Sequence, residues 1–310
     1  MAISQRKDRR MNGAAVAARR VFPDNSGPGR VLSAVDRLER AERLDPAIDW
    51  LRGRIHRLPL GPLRDALHGR WLGHPLHPAL VQVPIGAWLS AAVLDLLPGE
   101  RREADVLVLV GLSGAGPAAV AGWVDWAELQ KPQMRVGLPH SAANAVGVLL
   151  YAGSFAARRA GLRGLGRALG FAGFTVVGVG GALGGHMAYR QASGANHAED
   201  VPHRMPSGWH PVGDMAQFPV ERPVRRRVGE VDVVVVREPG GAVHVLADRC
   251  THMGGPLSEG EVADGCITCP WHGSVFRLSD GWNVRGPATA PEHAFDTRVV
   301  NGRVEIRLRD

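Results

Sequence analysis

Four apolar stretches lie close together in the first two thirds of this chain. Ala79–Leu97 holds one acid, Asp95, at its far end, and Val106–Trp123 holds no charge. His140–Ala157 is of the same kind, and Ala168–Met187 is laden with glycine and carries no Asp, Glu, Lys or Arg. Each run is long enough to cross roughly 30 Å of hydrocarbon as a helix. One such run can be a core helix. Four of them, separated by Arg-rich turns, predict an all-α four-helix transmembrane bundle over residues 74–190, with spans at 79–97, 106–123, 140–157 and 168–187. The lipid bilayer is then a partner, and the chain a multi-pass protein of the cell membrane. In the last run Gly178, Gly180, Gly181, Gly184 and Gly185 leave one helix face nearly bare. Such a face lets another helix, or a flat ligand, approach the backbone closely.

The 310 residues leave room for more than this bundle. Residues 1–30 are basic and rich in small residues, which predicts a disordered tail. Arg19-Arg20-Val21-Phe22 has the look of a twin-arginine export signal, but Pro23-Asp24-Asn25-Ser26-Gly27 follows where an apolar run is required. Residues 31–73 read as amphipathic helices. Asp45-Pro46 is a good N-cap and first-turn pair, and Ile48, Leu51, Ile55 and Leu58 then form one helical stripe. With Arg52, Arg54 and Arg57 opposite, the expected place is the membrane surface beside the first span; packing on another domain is the alternative. Residues 191–207 form a polar linker, and 208–310 read as an all-β domain whose Asn301-Gly302 marks a hairpin turn. The formal charge is +7 and the pI about 10.2. That excess sits in the first 73 residues and around the apolar runs, and no basic motif is interleaved with aromatics, so no nucleic-acid partner is expected.

The β region contains the chemistry. Cys250-x-His252 and Cys269-x-x-His272 are two mixed ligand pairs with sixteen residues between them. Thiolate and imidazole suit zinc and iron. A zinc finger would usually pair Cys with Cys and place both His on a helix. Gly254, Gly255, Pro256, Pro270 and Gly273 argue against a helix here. The other reading is a [2Fe–2S] cluster with two Cys on one iron and two His on the other.

At these residues the chain resembles the Rieske family. The likeness extends to Gly255-Pro256-Leu257, to Pro270-Trp271-His272-Gly273-Ser274 and to Gly286-Pro287-Ala288, where the family's cluster-covering loop falls. It implies a [2Fe–2S] cofactor held by Cys250, His252, Cys269 and His272. Gly255, Pro256, Leu257, Trp271, Gly273, Ser274 and Pro287 would surround the cluster, with Ser274 donating a hydrogen bond to it. The imidazoles are expected at the domain tip, facing a partner. Quinol-oxidising members carry a disulfide clamp, and Gly255 and Trp271 stand in those two places here. Phe276 stands where high-potential members have tyrosine, and Cys266 is expected to be a strand residue without a partner. Around His74-Pro75-Leu76-His77-Pro78, Gly122–Trp126 and His140–Asn144, the chain also resembles a bacterial family of four-helix membrane domains of unknown function.

The resemblance implies a membrane-anchored electron carrier working between a membrane redox carrier and a redox partner protein, rather than a self-contained enzyme. A Rieske oxygenase needs a further mononuclear iron site, and fewer than forty residues follow His272. The alternatives are a transporter or sensor whose Rieske module reports redox state, a quinol-oxidising respiratory subunit, and the ferredoxin component of an oxygenase system. Counting spans places His74, His77, Trp123, Trp126, His140 and His186 at one membrane face, the face from which the Rieske domain hangs. That gathering is a candidate site for haem or another metal, or for a quinone headgroup; structural hydrogen bonding is the remaining reading. Basic residues flank both faces, so the expected cytoplasmic side of the Rieske domain rests on the basic N-terminal segment and the incomplete export signal.

Overall fold

A computed structural model describes residues 29–99 and 102–309. The basic tail expected over residues 1–30 lies outside the described residues, save for its last two. The chain is multi-domain: a helical region, then a β domain. The helices are α1 (Gly29–Glu39), α2 (Asp45–His56), α3 (Pro62–His68), α4 (Leu76–Leu80), α5 (Gln82–Leu96), α6 (Arg102–Trp126), α7 (Lys131–Arg159), α8 (Arg163–Tyr189) and the short α9 (Val201–Arg204).

Three helical stretches among the described residues are long and apolar enough to cross a membrane: Leu76–Leu96, Arg102–Trp126 and Arg163–Tyr189. The fourth expected span, in α7, is not among them. The reason is its inward face, where His140, Asn144, Tyr151, Ser154 and Arg158 recur at helical spacing. This polar face lies along the glycines of α8. A methyl group on Gly184 would stand 3.1 Å from the His140 ring, one on Gly180 2.8 Å from the Asn144 amide, and one on Gly173 3.1 Å from the Tyr151 ring. Further along, Gly166 lies under the Arg158 stem. The exception is Gly147 of α7, which receives Val177 of α8. Side chains of α7 thus fill the α8 face at Gly166, Gly173, Gly180 and Gly184, whereas Gly178, Gly181 and Gly185 have nothing within 4 Å. Below it, Arg158 holds Asp95 bidentately and Asp105 at 3.2 Å, which locks α5, α6 and α7 together.

The expected interfacial segment packs on the protein rather than presenting its stripe to lipid. Ile48 and Ile55 are buried with Trp126, Ala127, Leu129, Met134 and Met253 of the β domain, whereas Leu58 is exposed. Asp45 opens α2 from inside its first turn and takes a bidentate pair from Arg135 at 2.7 and 2.8 Å.

The β domain has a six-stranded sheet in the order β1-β10-β9-β4-β3-β2 and a four-stranded sheet in the order β5-β6-β7-β8. In the first are β1 (His210–Asp214), β2 (Val224–Val228), β3 (Val231–Arg237), β4 (Val243–Ala247), β9 (Ala294–Val300) and β10 (Arg303–Leu308); β5 (Glu261–Ala263), β6 (Cys266–Thr268), β7 (Val275–Arg277) and β8 (Asn283–Arg285) form the second. β3 is nearly all valine because both of its faces are covered. Val233 and Val235 enter one core, and Val234 and Val236 the other. Adjacent strands β4 and β9 are joined by residues 248–293, which carry the small sheet and the loops below.

Candidate metal centre

Two loops repeat one turn. Cys250 N–H donates to Gly255 O at 2.8 Å, and Gly254 N–H to Cys250 O at 2.8 Å. In the second loop Cys269 N–H donates to Ser274 O at 2.8 Å, and Gly273 N–H to Cys269 O at 3.1 Å. Each turn closes on a residue with positive φ, 76° at Gly254 and 73° at Gly273, a conformation that favours glycine. Asp248 anchors the first loop from its base by accepting from the Ser258 N–H and hydroxyl, at 2.5 and 2.6 Å. A third loop, 286–290, ties both down. Ala288 N–H donates to Ser274 Oγ at 3.0 Å, and Thr251 Oγ1 donates to Ala290 O at 2.9 Å.

The four candidate ligands are set as two pairs. Cys250 and Cys269 are buried together with Leu257, Ile267, Phe276 and Ala288. A hydrogen bond between the two sulfurs pushes the Cys250 thiol up, and the same contact pulls the Cys269 thiol down to about 7. The His252 and His272 rings stand 5.0 Å apart, edge to face. Burial pulls both imidazoles down, His252 furthest, so both rings are neutral with a lone pair to offer. His252 Nδ1 is buried and has no hydrogen-bond partner. Among the described residues no three His, Cys, Asp or Glu converge on a point fit for one metal ion. Two adjacent pairs are what a two-iron cluster with mixed ligation requires, so the donor set fits it.

The other residues expected around the cluster take the following positions. Gly255 leaves room for Trp271 and Cys269, since a methyl group there would stand 2.9 and 3.0 Å from them. Pro256 leads into a short turn of helix and Leu257 is fully buried. Ser274 is also fully buried, and because its oxygen accepts from Ala288, its hydroxyl proton is left to donate. Pro287 is buried in the third loop. Trp271 is 46% exposed and lies against the His272 ring at 6.4 Å. Cys266 of β6 pairs with Arg277 of β7 and is half-buried.

The tip of the β domain meets this chain's own helices. Met253, between His252 and Gly254 of the first loop, is buried in the junction core with Ile48, Trp126 and Met134. Asp65 of α3 accepts the Gly286 N–H at 3.1 Å, and Arg70 donates to Asn283 O at 3.1 Å. His68, 2% exposed, lies under Gly286 and is held by Asp125 of α6 at 2.9 Å; it is within electrostatic reach of His252. His56 is held by Glu128 at 3.0 Å, and both act on His272. A cavity of about 490 Å³ opens beside His272, lined by Pro62, Arg64, Asp65, Gly273, Arg285 and Gly286. Sequence reasoning missed His68, Asp65 and Met253, since no motif marks a residue whose partner is far away in the chain.

The histidines counted to one membrane face do not form one cluster. His77 and His140 do meet, with ring centroids 6.3 Å apart. Each is tied through Nδ1 to a main-chain carbonyl, Ala118 at 2.8 Å and Gly180 at 2.7 Å. His186 turns to Glu39 at 2.8 Å, and His74 is exposed beside its own Pro75 carbonyl. Trp123 and Trp126 pack edge to face at 5.2 Å, and Trp126 donates to Met134 O at 3.1 Å.

Residues 208–301 match the family model of the Rieske [2Fe-2S] domain. Over 100 residues the chain is 34% identical to the ferredoxin subunit of anthranilate 1,2-dioxygenase from Burkholderia cepacia, covering 32% of this chain and 92% of that one. The chain belongs to the Rieske [2Fe–2S] family. Its cofactor is therefore a [2Fe–2S] cluster and its chemistry electron transfer. Residues 73–197 match a second family model, "Predicted membrane protein (DUF2231)". The Rieske chain is also 37% identical over 96 residues to the oxygenase component of 3-ketosteroid-9-alpha-monooxygenase from Rhodococcus rhodochrous, but spans only 24% of that protein. Among solved structures, the ferredoxin of carbazole 1,9a-dioxygenase from Nocardioides aromaticivorans IC177 aligns at a TM-score of 0.32 and 25% identity, covering 33% of this chain and 100% of that one.

Proposed function

We propose that this Rieske protein is a membrane-anchored carrier of single electrons, working between a redox carrier in the bilayer, quinone or haem, and a redox partner protein. Cys250 and Cys269 would hold one iron, and His252 and His272 the other. When bound there, the cluster supplies one-electron chemistry at a potential raised by its neutral imidazole ligands. The chain's own Leu257, Phe276 and Ala288 bury the two thiols, and the Ser274 hydroxyl, whose oxygen accepts from the Ala288 N–H, would be free to donate its proton to the cluster. The observation that carries the reading is the pairing of two thiols and two neutral imidazoles at the ends of twin turns.

The DUF2231 match and the three apolar helices support the membrane anchor. The docking of the ligand loops on α2, α3 and the end of α6 supports a carrier on the membrane side. The ferredoxin subunit from Burkholderia cepacia supports a protein partner of the oxygenase kind, reached at Trp271 and the opening beside His272. The basic first 73 residues favour a cytoplasmic Rieske domain. The test is stopped-flow reduction of the cluster in proteoliposomes. A quinol or haem donor confined to the bilayer should reduce it, and His68→Ala should slow that step. Reduction only by water-soluble donors would contradict the membrane-side carrier.

A further inference from the structure

The inward face of α7 is polar from one end to the other. His140, Asn144, Tyr151, Ser154 and Arg158 follow at intervals of four, seven, three and four residues, which is one helix face. From His140 to Arg158 the helix rises about 27 Å, close to the thickness of the hydrocarbon layer. Ionisable and hydrogen-bonding groups on the inner side of a membrane bundle are costly, and they tend to mark ion or proton pathways.

Both ends of this face join charged groups. At the Rieske end, His140 meets His77 at 6.3 Å, His77 lies in electrostatic reach of Asp125, and Asp125 holds His68. At the other end, Ser154 accepts from Arg158 at 3.1 Å, and Arg158 holds Asp95 and Asp105. Tyr151 lies between, within electrostatic reach of Asp95. Interhelical hydrogen bonds alone account for Ser154, which donates to Gly166 O at 2.6 Å, and for Arg158. They do not account for Tyr151. Its ring stacks on Trp88 at 4.1 Å, the residue is 1% exposed, and its hydroxyl has no hydrogen-bond partner. Leaving a buried hydroxyl unpaired is costly, and a proton-carrying hydrogen-bonded chain would remove that cost. The face is interrupted once, where Val177 packs into Gly147 between Asn144 and Tyr151.

We propose that this face is a path for protons through the membrane domain, running from His68–Asp125 under the Rieske domain to Asp95–Arg158 at the opposite end, with Val177 as the closed gate. The proposal rests on the reading that these helices span a bilayer. Imidazole, phenol and carboxylate groups each accept a proton on one side and release one on the other, so a proton moves without any change in oxidation state. The charge it carries must be balanced by another ion.

The test uses the full chain with its cluster, reconstituted into phosphatidylcholine vesicles loaded with a pH-sensitive dye. A potassium gradient with valinomycin supplies the balancing charge. Flotation on a density gradient first reports insertion, and a chain that fails to float with lipid overturns both the membrane reading and the path. For inserted protein, Val177→Ala should raise proton flux several-fold over protein-free vesicles, and adding Tyr151→Phe should return it to the baseline. If the alanine variant does not insert, Val177→Thr, which keeps the volume and adds a hydroxyl to bridge the interrupted face, carries the same expectation. Flux equal to protein-free vesicles in the inserted Val177 variants overturns the path, as does a leak that Tyr151→Phe leaves unchanged. Neither result touches the electron-transfer reading, which the cluster spectrum reports separately.

Discussion

At His272 a neutral ring stands where a thiolate would add a negative charge. His272→Cys or His252→Cys should therefore lower the reduction potential by on the order of hundreds of millivolts, or lose the cluster. Redox titration followed by optical spectroscopy reads this directly, and Cys266→Ala should leave the spectrum as it was. Glu292 offers a second test. It is 3% exposed, its Oε2 has no partner, and burial pushes its carboxyl well above the usual range. An acid whose pKa is raised by folding holds its proton in the folded chain after the unfolded chain has released it. Stability is then full below the ordinary Glu range and falls as pH rises from there towards the folded pKa, at up to about 1.4 kcal/mol per pH unit. Glu292→Gln should flatten that slope in denaturant unfolding measured as a function of pH, and a slope unchanged in the variant would remove Glu292 as its cause. The ligand residues were legible in the sequence because a metal site built from two short loops leaves its spacing in the chain. Glu292 was not, because burial depends on which strands close over it.

Among the elements, α7 and α8 depart furthest from expectation. The lack of charge in 140–157 suggested an ordinary span, but lack of charge is not apolarity. His140, Asn144, Tyr151 and Ser154 make α7 a helix that needs neighbours on its polar side, and the α8 glycines supply the close approach. Gly173→Val should therefore cost about 1–3 kcal/mol through overpacking against Tyr151. Gly178→Ala, where nothing lies within 4 Å, should be close to neutral. Thermal unfolding of the detergent-solubilised protein compares the two. The β9–β10 hairpin, by contrast, was legible from two residues. Asn301 and Gly302 both adopt positive φ, 51° and 77°, as the short turn requires.

For the molecule as a whole, the junction between the two domains places the ligand loops. The sequence predicted a cluster tip facing a partner; that tip faces α2, α3 and the end of α6 of the same chain. Nothing local in the sequence pairs Met253 with Ile48 or Gly286 with Asp65, since such contacts exist only once both domains are folded. Met253→Ala should remove about 2–5 kcal/mol of junction packing. Faster amide exchange in residues 45–68, with the β sheets still protected, would show it. Exchange unchanged in α2 and α3 would mean that the domains are held together elsewhere.

The central claim is that one [2Fe–2S] cluster is held by Cys250, Cys269, His252 and His272. Metal analysis joined to EPR of the dithionite-reduced protein tests it most directly. The account predicts two irons per chain and a mixed-ligand [2Fe–2S] signal that persists in Cys266→Ala and disappears in Cys269→Ala and His272→Ala. Zinc in place of iron, or an iron signal that survives His272→Ala but is lost in Cys266→Ala, would contradict it.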